Sequence, residues 1–308
     1  MSAKNPLIVL VGPTAVGKTH TAIELAEHLN GEIVSADSRL FYRGMDIGTA
    51  KPTIEEQTRI PHHLIDVADP DQIWSLSVFQ KAAKASIAEI QSKGKLPFLV
   101  GGTGQYIRAV TQGWMPPRVE PDEKLREVLE NLSSQQGAYW LHDKLKVLDP
   151  RAAEKIDARN VRRTIRALEV ILTSGKLFSD QTQQSTSPHE LIQVGLIRSR
   201  QELYKRVDAR IESMFEQGLL GEVKGLLSKD YSPTLPTLSA IGYRECIRVL
   251  NGQLRIEQAK QEMRKSTRVF VRRQTNWFKP NDPEIKWFDA GACNLEDIES
   301  FINERLLS

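Results

Sequence analysis

Residues 12 to 19 read Gly12-Pro13-Thr14-Ala15-Val16-Gly17-Lys18-Thr19, directly after the apolar run Leu7-Ile8-Val9-Leu10-Val11. A Gly-x-x-x-x-Gly-Lys-Thr loop between strand and helix turns backbone N–H groups onto phosphate oxygens, adds a lysine charge and offers a hydroxyl to Mg²⁺. All eight residues are candidate phosphate ligands, and Thr19 is the candidate metal ligand. The loop reads oxygens and ignores what they are attached to, so it fixes the anion and leaves the compound open. A carboxylate stands nearby in pattern, at the end of a second apolar run in Ser35-Ala36-Asp37-Ser38. That edge of a parallel sheet is where ligands bind. Position alone leaves Asp37 open as a general base, a water-bridged Mg²⁺ ligand, a cap for the next turn or a ribose contact.

A further glycine turn, Gly101-Gly102-Thr103-Gly104-Gln105-Tyr106, follows Leu96-Pro97-Phe98-Leu99-Val100. A nucleoside triphosphatase that performs work carries an acid after such a run, and none is present here. The pattern favours a phosphate group that departs in the reaction over one hydrolysed to drive motion. His62 and His63 are adjacent, which is not metal-ligand spacing, and they read as structural or substrate-contacting residues.

These groups need a scaffold. From 1 to 112 the pattern alternates strand and helix, with helices expected at His20–Leu29 and about 77–91, which implies a parallel α/β sheet. From 113 to 192 strand signals give way to short amphipathic helices, one carrying Leu125, Val128, Leu129 and Leu132 and another Trp140, Leu141, Leu145 and Leu148. Residues 193–308 return to the core, after a possible strand at Leu191–Ile197, with a helix that turns Leu203, Val207, Ile211 and Met214 inward. The expected fold is a P-loop-type parallel sheet core flanked by helices, 1–112 and 193–308, with an inserted all-helical domain at 113–192.

The chain has 308 residues and a net charge of only +3, so global charge does not point to nucleic acid. Local charge does. On 158–173, Val161, Ile165, Leu168 and Leu172 form an apolar stripe and Arg159, Arg162, Arg163 and Arg166 the opposite face. Four arginines with no acid among them suit a polyanion better than plain solvation, which mixed signs serve. A late helix at about 255–278 carries Arg264, Lys265, Arg268, Arg272 and Arg273 and ends in Trp277-Phe278, aromatic residues that read as core more readily than as base-stacking platforms. Two distant cysteines, Cys246 and Cys293, exclude a disulfide framework. The first apolar run is too short for a signal peptide and no segment approaches 18 apolar residues, so a cytoplasmic protein without membrane contact is expected. With no spare apolar stripe on the surface, a monomer is expected.

With these blocks in place, the chain resembles the bacterial tRNA dimethylallyltransferases across nearly its whole length. The resemblance rests on Gly12 to Thr19; Asp37-Ser38-Arg39 with Tyr42 and Gly48-Thr49-Ala50-Lys51-Pro52; Pro61 to Asp66; and Gly101 to Tyr106. Downstream it continues through Asn160 to Val170, Arg206 and Arg210, Ala240-Ile241-Gly242-Tyr243, and Arg272-Arg273-Gln274 before Trp277-Phe278.

The resemblance implies transfer of a dimethylallyl group from its diphosphate to N6 of adenosine 37 in the anticodon loop of tRNAs that read codons starting with U, with Mg²⁺. It implies that Asp37 is the catalytic base, that Lys18 and Thr19 act on the diphosphate and Mg²⁺, and that Arg206 is a phosphate ligand. Asp37, Ser38, Arg39, Leu40, Thr103, Gly104, Arg162, Arg163, Thr164, Ile165 and Arg166 are implied to contact tRNA. Leu40 stands where many members have Gln, and Gln105 where many have Leu, so local contacts there are expected to differ. Two other classes fit the phosphate loop alone: a small-molecule or nucleotide kinase with the insertion as a lid, and a nucleotide-gated RNA-binding protein without chemistry.

Overall fold

The computed structural model describes residues 5–114, 117, 119–181 and 187–308. The chain divides into two compact units, one formed by 1–111 with 187–308 and the other by 112–186. A boundary at 192/193 would cut a strand, since the chain re-enters the sheet at Glu190. Residues 182–186 of the polar run before it lie outside the described residues.

In chain order, the first unit builds β1 (Pro6–Val11), α1 (Lys18–His28), β2 (Gly31–Ser35), α2 (Ile54–Arg59), β3 (His62–His63), α3 (Leu76–Ser92), β4 (Leu96–Gly101) and α4 (Gly104–Thr111). The second unit holds α5 (Glu123–Gln136), α6 (Ala138–Leu148), α7 (Pro150–Lys155), α8 (Val161–Ser174) and α9 (Phe178–Gln181). The first unit resumes with β5 (Glu190–Ile197), α10 (Arg200–Glu216), α11 (Leu219–Leu227), α12 (Tyr243–Leu250), α13 (Ile256–Gln274), β6 (Ile285–Asp289) and α14 (Leu295–Leu307).

All strand pairs are parallel and the order is β3-β2-β4-β1-β5-β6. A parallel sheet covered on both faces needs continuous apolar strands, and Leu7 to Val11 of β1 are fully buried. The sheet lines up the ends of β1, β2, β4 and β5 along one edge. From that edge come the phosphate loop, Asp37, the Gly101–Gly104 turn and Arg198. Phe41 stacks on Tyr106 with ring centroids 5.8 Å apart, Tyr106 stacks on Phe79 at 4.4 Å, and Trp74 lies 4.7 Å from Phe41. This aromatic cluster pins the segment after Asp37 onto α3 and α4.

The second unit has its own core, made of Leu129, Leu141, Leu145, Ile156, Ile165 and Leu168. Three residues expected inside it, Val128, Leu148 and Leu172, are instead exposed. The phase of α8 explains Leu172: its covered side runs through Thr164, Ile165, Ala167 and Leu168 and reaches Ile171, leaving Leu172 outside. Among the described residues no helix is long and apolar enough to cross a membrane.

Candidate active site

The phosphate loop is held from both ends. Gly12 sits at φ +153°, and a methyl there would meet the Leu196 carbonyl oxygen at 2.6 Å, so only glycine fits. Ala15 takes the left-handed conformation at φ +68°. Two arginines satisfy carbonyls that this bend turns outward: Arg206 Nε donates to Ala15 O at 2.7 Å and Arg198 Nε to Val16 O at 2.9 Å. Lys18 Nζ donates to Gly12 O and Pro13 O, both at 2.9 Å. The first amides of α1 have no partner within the helix, which leaves them for an anion.

One cavity of about 290 Å³ gathers the chemistry. Thr14, Ala15, Gly17, Lys18, Thr19, Arg206 and Arg210 give it a cationic, amide-rich end. Ala22, Ile33, Leu40, Pro52, Ile65 and Val100 give it an apolar wall, and Asp37 opens into the same space. Burial, the largest influence, drives the Lys18 pKa down to about 8; Asp37 opposes this and Arg210 adds to it. Burial and the Arg206 charge likewise lower the pKa of Arg210, against Asp37.

Asp37 Oδ1 accepts from the Arg39 amide at 3.0 Å, which caps the turn and fixes the carboxylate plane. Its second oxygen has no hydrogen bond among the described residues, so capping and proton acceptance are compatible roles for one side chain. His62 also lines the cavity; its Nδ1 lies 2.7 Å from Ile60 O, its Nε2 is buried without a partner among the described residues, and burial lowers its pKa. His63 is structural, with Nε2 2.7 Å from the buried Glu32.

The loop carrying Gly48 to Pro52 supplies another wall. Glu222 on α11 accepts from the amides of Asp46, Ile47 and Gly48 at 3.0, 2.7 and 3.1 Å and from the Tyr243 hydroxyl at 2.6 Å. Lys51 Nζ ties the same loop to Tyr42 O at 2.9 Å and to Asp66 at 2.5 Å.

Not every expected contact residue reaches this cavity. Gly12, Pro13 and Val16 support the loop from outside it, and Ser38, Arg39, Thr103 and Gly104 are not among its lining residues. Arg39 Nη1 donates to the carbonyls of Pro236 and Thr237 at 3.4 and 3.3 Å. Gly104 lies under the half-buried Trp277 indole, which also carries Arg108 over its ring, and of the two aromatics Phe278 is the one that belongs to the core. Part of the basic run on α13 has its acids on α10: Arg268 pairs with Asp208 at 2.6 Å and Arg264 reaches Glu212, as does Lys260 at 2.6 Å, whereas Lys265, Arg272 and Arg273 have no ion pair among the described residues.

In the second unit, the arginines of 159–166 separate into two kinds, with Arg159 standing just ahead of α8. Arg166 pairs with the fully buried Glu169 at 2.5 Å and donates to Val119 O at 2.6 Å, while Arg126 meets the other oxygen of Glu169 at 2.8 Å. Arg159 pairs with Asp157 at 2.6 Å. Arg162 and Arg163 are exposed and have no ion pair among the described residues. Thr164 and Ile165 are buried, so their side chains are not presented to a partner.

Arg198 and Glu222 escape a reading by motif, and Arg210 and Gln274 stand in matched blocks without a role being read for either. Arg210 has one local signal: it follows Arg206 by one helical turn on α10 and therefore shares its face.

A family model described as IPP transferase matches residues 40–281. The tRNA dimethylallyltransferase of Roseiflexus sp. (strain RS-1) is 48% identical over 291 residues, 94% of this chain and 95% of that protein. That of Halalkalibacterium halodurans is 42% identical over 310 residues, 98% of each. Among solved structures, the full-length tRNA isopentenylpyrophosphate transferase of Bacillus halodurans superimposes with a TM-score of 0.74 at 41% identity, covering 98% of this chain and 97% of that one. A eukaryotic dimethylallyltransferase acting on tRNA gives 0.80 at 26% identity, covering 99% and 78%. These relatives are prenyl transferases, and the kinase alternative falls with them.

Proposed function

Because the chain belongs to the IPP transferase family, we propose that it moves the dimethylallyl group of dimethylallyl diphosphate onto N6 of adenosine 37 in tRNAs that read codons starting with U. The observation that carries this reading is the single cavity shared by the anion cradle, an apolar wall and the Asp37 carboxylate.

The chemistry asks for those three parts together. An exocyclic adenine amine is a weak nucleophile, so a carboxylate must accept its proton as the new C–N bond forms. Asp37 has a free oxygen for that proton, and its other oxygen is held by the Arg39 amide. The allylic C–O bond breaks with positive charge on carbon and negative charge on the departing diphosphate. Lys18, Arg206, Arg210 and the amides opening α1 stabilise that anion. Ile33, Leu40, Ile65 and Val100 cover the prenyl chain and keep water from the cationic carbon. A base in an anticodon loop reaches such a site by leaving its stack.

The residues fit Mg²⁺. Thr19 presents its hydroxyl in the cavity, and among the described residues no cluster of three or more His, Cys, Asp or Glu forms an all-protein cage. That is the donor set for a hard cation carried mainly by diphosphate oxygens and water. When bound, Mg²⁺ neutralises charge on the leaving group.

On the second unit, Arg162 and Arg163 are the residues free to grip RNA phosphates, and Arg166 acts by shaping the helix that bears them. The test is to incubate the protein with Mg²⁺, labelled dimethylallyl diphosphate and unmodified tRNA. Label is expected in tRNA carrying adenosine at position 37 and not in tRNA with guanosine there. Consumption of ATP with a small acceptor, and no labelled RNA, would overturn the reading.

A further inference from the structure

We infer that Gln274 is a positioning residue that sets the spacing between the diphosphate cradle and the acceptor side of the cavity; this rests on the transferase reading above. Gln274 closes α13 and is 5% exposed, far in sequence from both segments it joins. Its Oε1 accepts from the Thr14 amide of the phosphate loop at 2.8 Å. Its Nε2 donates to the Gly102 carbonyl of the turn after β4 at 3.1 Å. One rigid amide therefore spans from Thr14, on the phosphate side, to the turn whose first residue, Gly101, lines the same cavity.

The fit is built into the chain. A methyl group on Gly102 would overlap Gln274 Nε2, so the absence of a side chain there is what lets the amide sit between the two segments. The same turn is clamped a second time, by Trp277 over Gly104 and by Arg108 Nη2 donating to Trp277 O at 3.1 Å.

The contact also shapes the cradle. Pro13 has no N–H and the Thr14 N–H is committed to Gln274, so the first limb of the loop offers little to an anion. Donors to the diphosphate are concentrated at Lys18, Thr19 and the start of α1. Loss of Gln274 leaves those donors in place but frees the first limb and the 101–104 turn to shift. Misplacement by about 1 Å costs on the order of a hundredfold in rate while binding changes little.

A misaligned site has a chemical signature. The allylic C–O bond still breaks and diphosphate still leaves, but water attacks the carbon and, after losing a proton to solvent, yields dimethylallyl alcohol. Gln274→Met removes both hydrogen bonds at nearly constant volume, and Gly102→Ala displaces the amide without removing it. For both variants we expect kcat for transfer to fall by about tenfold to a hundredfold, KM for the diphosphate to stay within about threefold, and the ratio of alcohol released to prenyl transferred to rise. Partial unfolding would lower both products together and leave that ratio fixed. An unchanged ratio and kcat in both variants, with wild-type enzyme active on tRNA, would overturn this inference alone. Wild-type enzyme that fails to label tRNA would instead overturn the function it rests on.

Discussion

Lys18 offers a way to read the cradle by titration. Burial, with Arg210 adding to it and only Asp37 opposing, holds its pKa near 8 against an ordinary 10.5. In the free protein about nine-tenths of molecules carry the charge at pH 7 and about one-tenth at pH 9. A bound diphosphate brings opposite charge to the ammonium and raises its pKa, so binding takes up a proton above pH 8. Affinity for dimethylallyl diphosphate should therefore fall about tenfold from pH 7 to pH 9, or about 1.4 kcal/mol. Stability of the free protein moves the other way. The folded pKa lies below the unfolded one and the unfolded chain binds more protons between about pH 8 and 10.5, so the cost of burying the charged Lys18 is full below pH 8 and is relieved across that window. Isothermal titration calorimetry at pH 7, 8 and 9, in two buffers of different ionisation enthalpy, measures both affinity and proton uptake. Lys18→Arg, which stays charged, should lose the slope. A flat wild-type profile, or the same slope in Lys18→Arg, would refute the assignment of Lys18 to the diphosphate.

Asp37→Asn keeps an oxygen for the Arg39 amide and should lower kcat by about 10²- to 10⁴-fold with little change in melting temperature; Asp37→Ala should lose the same activity and also about 1 kcal/mol of stability through the turn, as chemical denaturation will show. Replacing Arg162 and Arg163 by Ala should weaken tRNA binding and reduce the slope of log affinity against log salt by about 0.7 to 0.9 for each RNA phosphate that is no longer neutralised. Arg166→Ala should act on stability instead, by about 1–3 kcal/mol, because the buried Glu169 loses one of its two cations. Glu222→Ala leaves the amides of Asp46, Ile47 and Gly48, just ahead of the cavity-lining Thr49 and Ala50, without their acceptor and should raise KM for the diphosphate and lower stability by about 1–3 kcal/mol, whereas Tyr243→Phe should cost about 1 kcal/mol with KM unchanged.

What is local in the chain is legible in the sequence. The phosphate loop is eight contiguous residues with a strand before and a helix after, and Asp37 ends an apolar run, so each can be placed without knowing the rest of the fold. The central strands also announce themselves, because a doubly covered parallel sheet demands unbroken apolar runs such as Leu7 to Val11. Gln274 stands in a matched block, but its bridging role, like that of Glu222, is not legible because each serves a segment more than a hundred residues away. Charge patterns mislead for the same reason. Arg264 and Arg268 of α13 look unpaired until α10 is laid beside them, and Arg166 looks free until Glu169 is found buried one turn further along. Spacing alone puts Leu172 in the apolar stripe of α8, but a short helix in a small unit covers one narrow arc, and Ile171 rather than Leu172 falls within it.

The most direct test is a crystal structure of the protein with Mg²⁺ and a thio analogue of dimethylallyl diphosphate that cannot ionise at the allylic carbon. The account predicts the diphosphate on Lys18, Thr19 and the first turn of α1, the prenyl chain along Leu40, Ile65 and Val100, and the allylic carbon turned toward the open oxygen of Asp37. A diphosphate bound in that cradle with its prenyl chain directed away from Asp37 would contradict it.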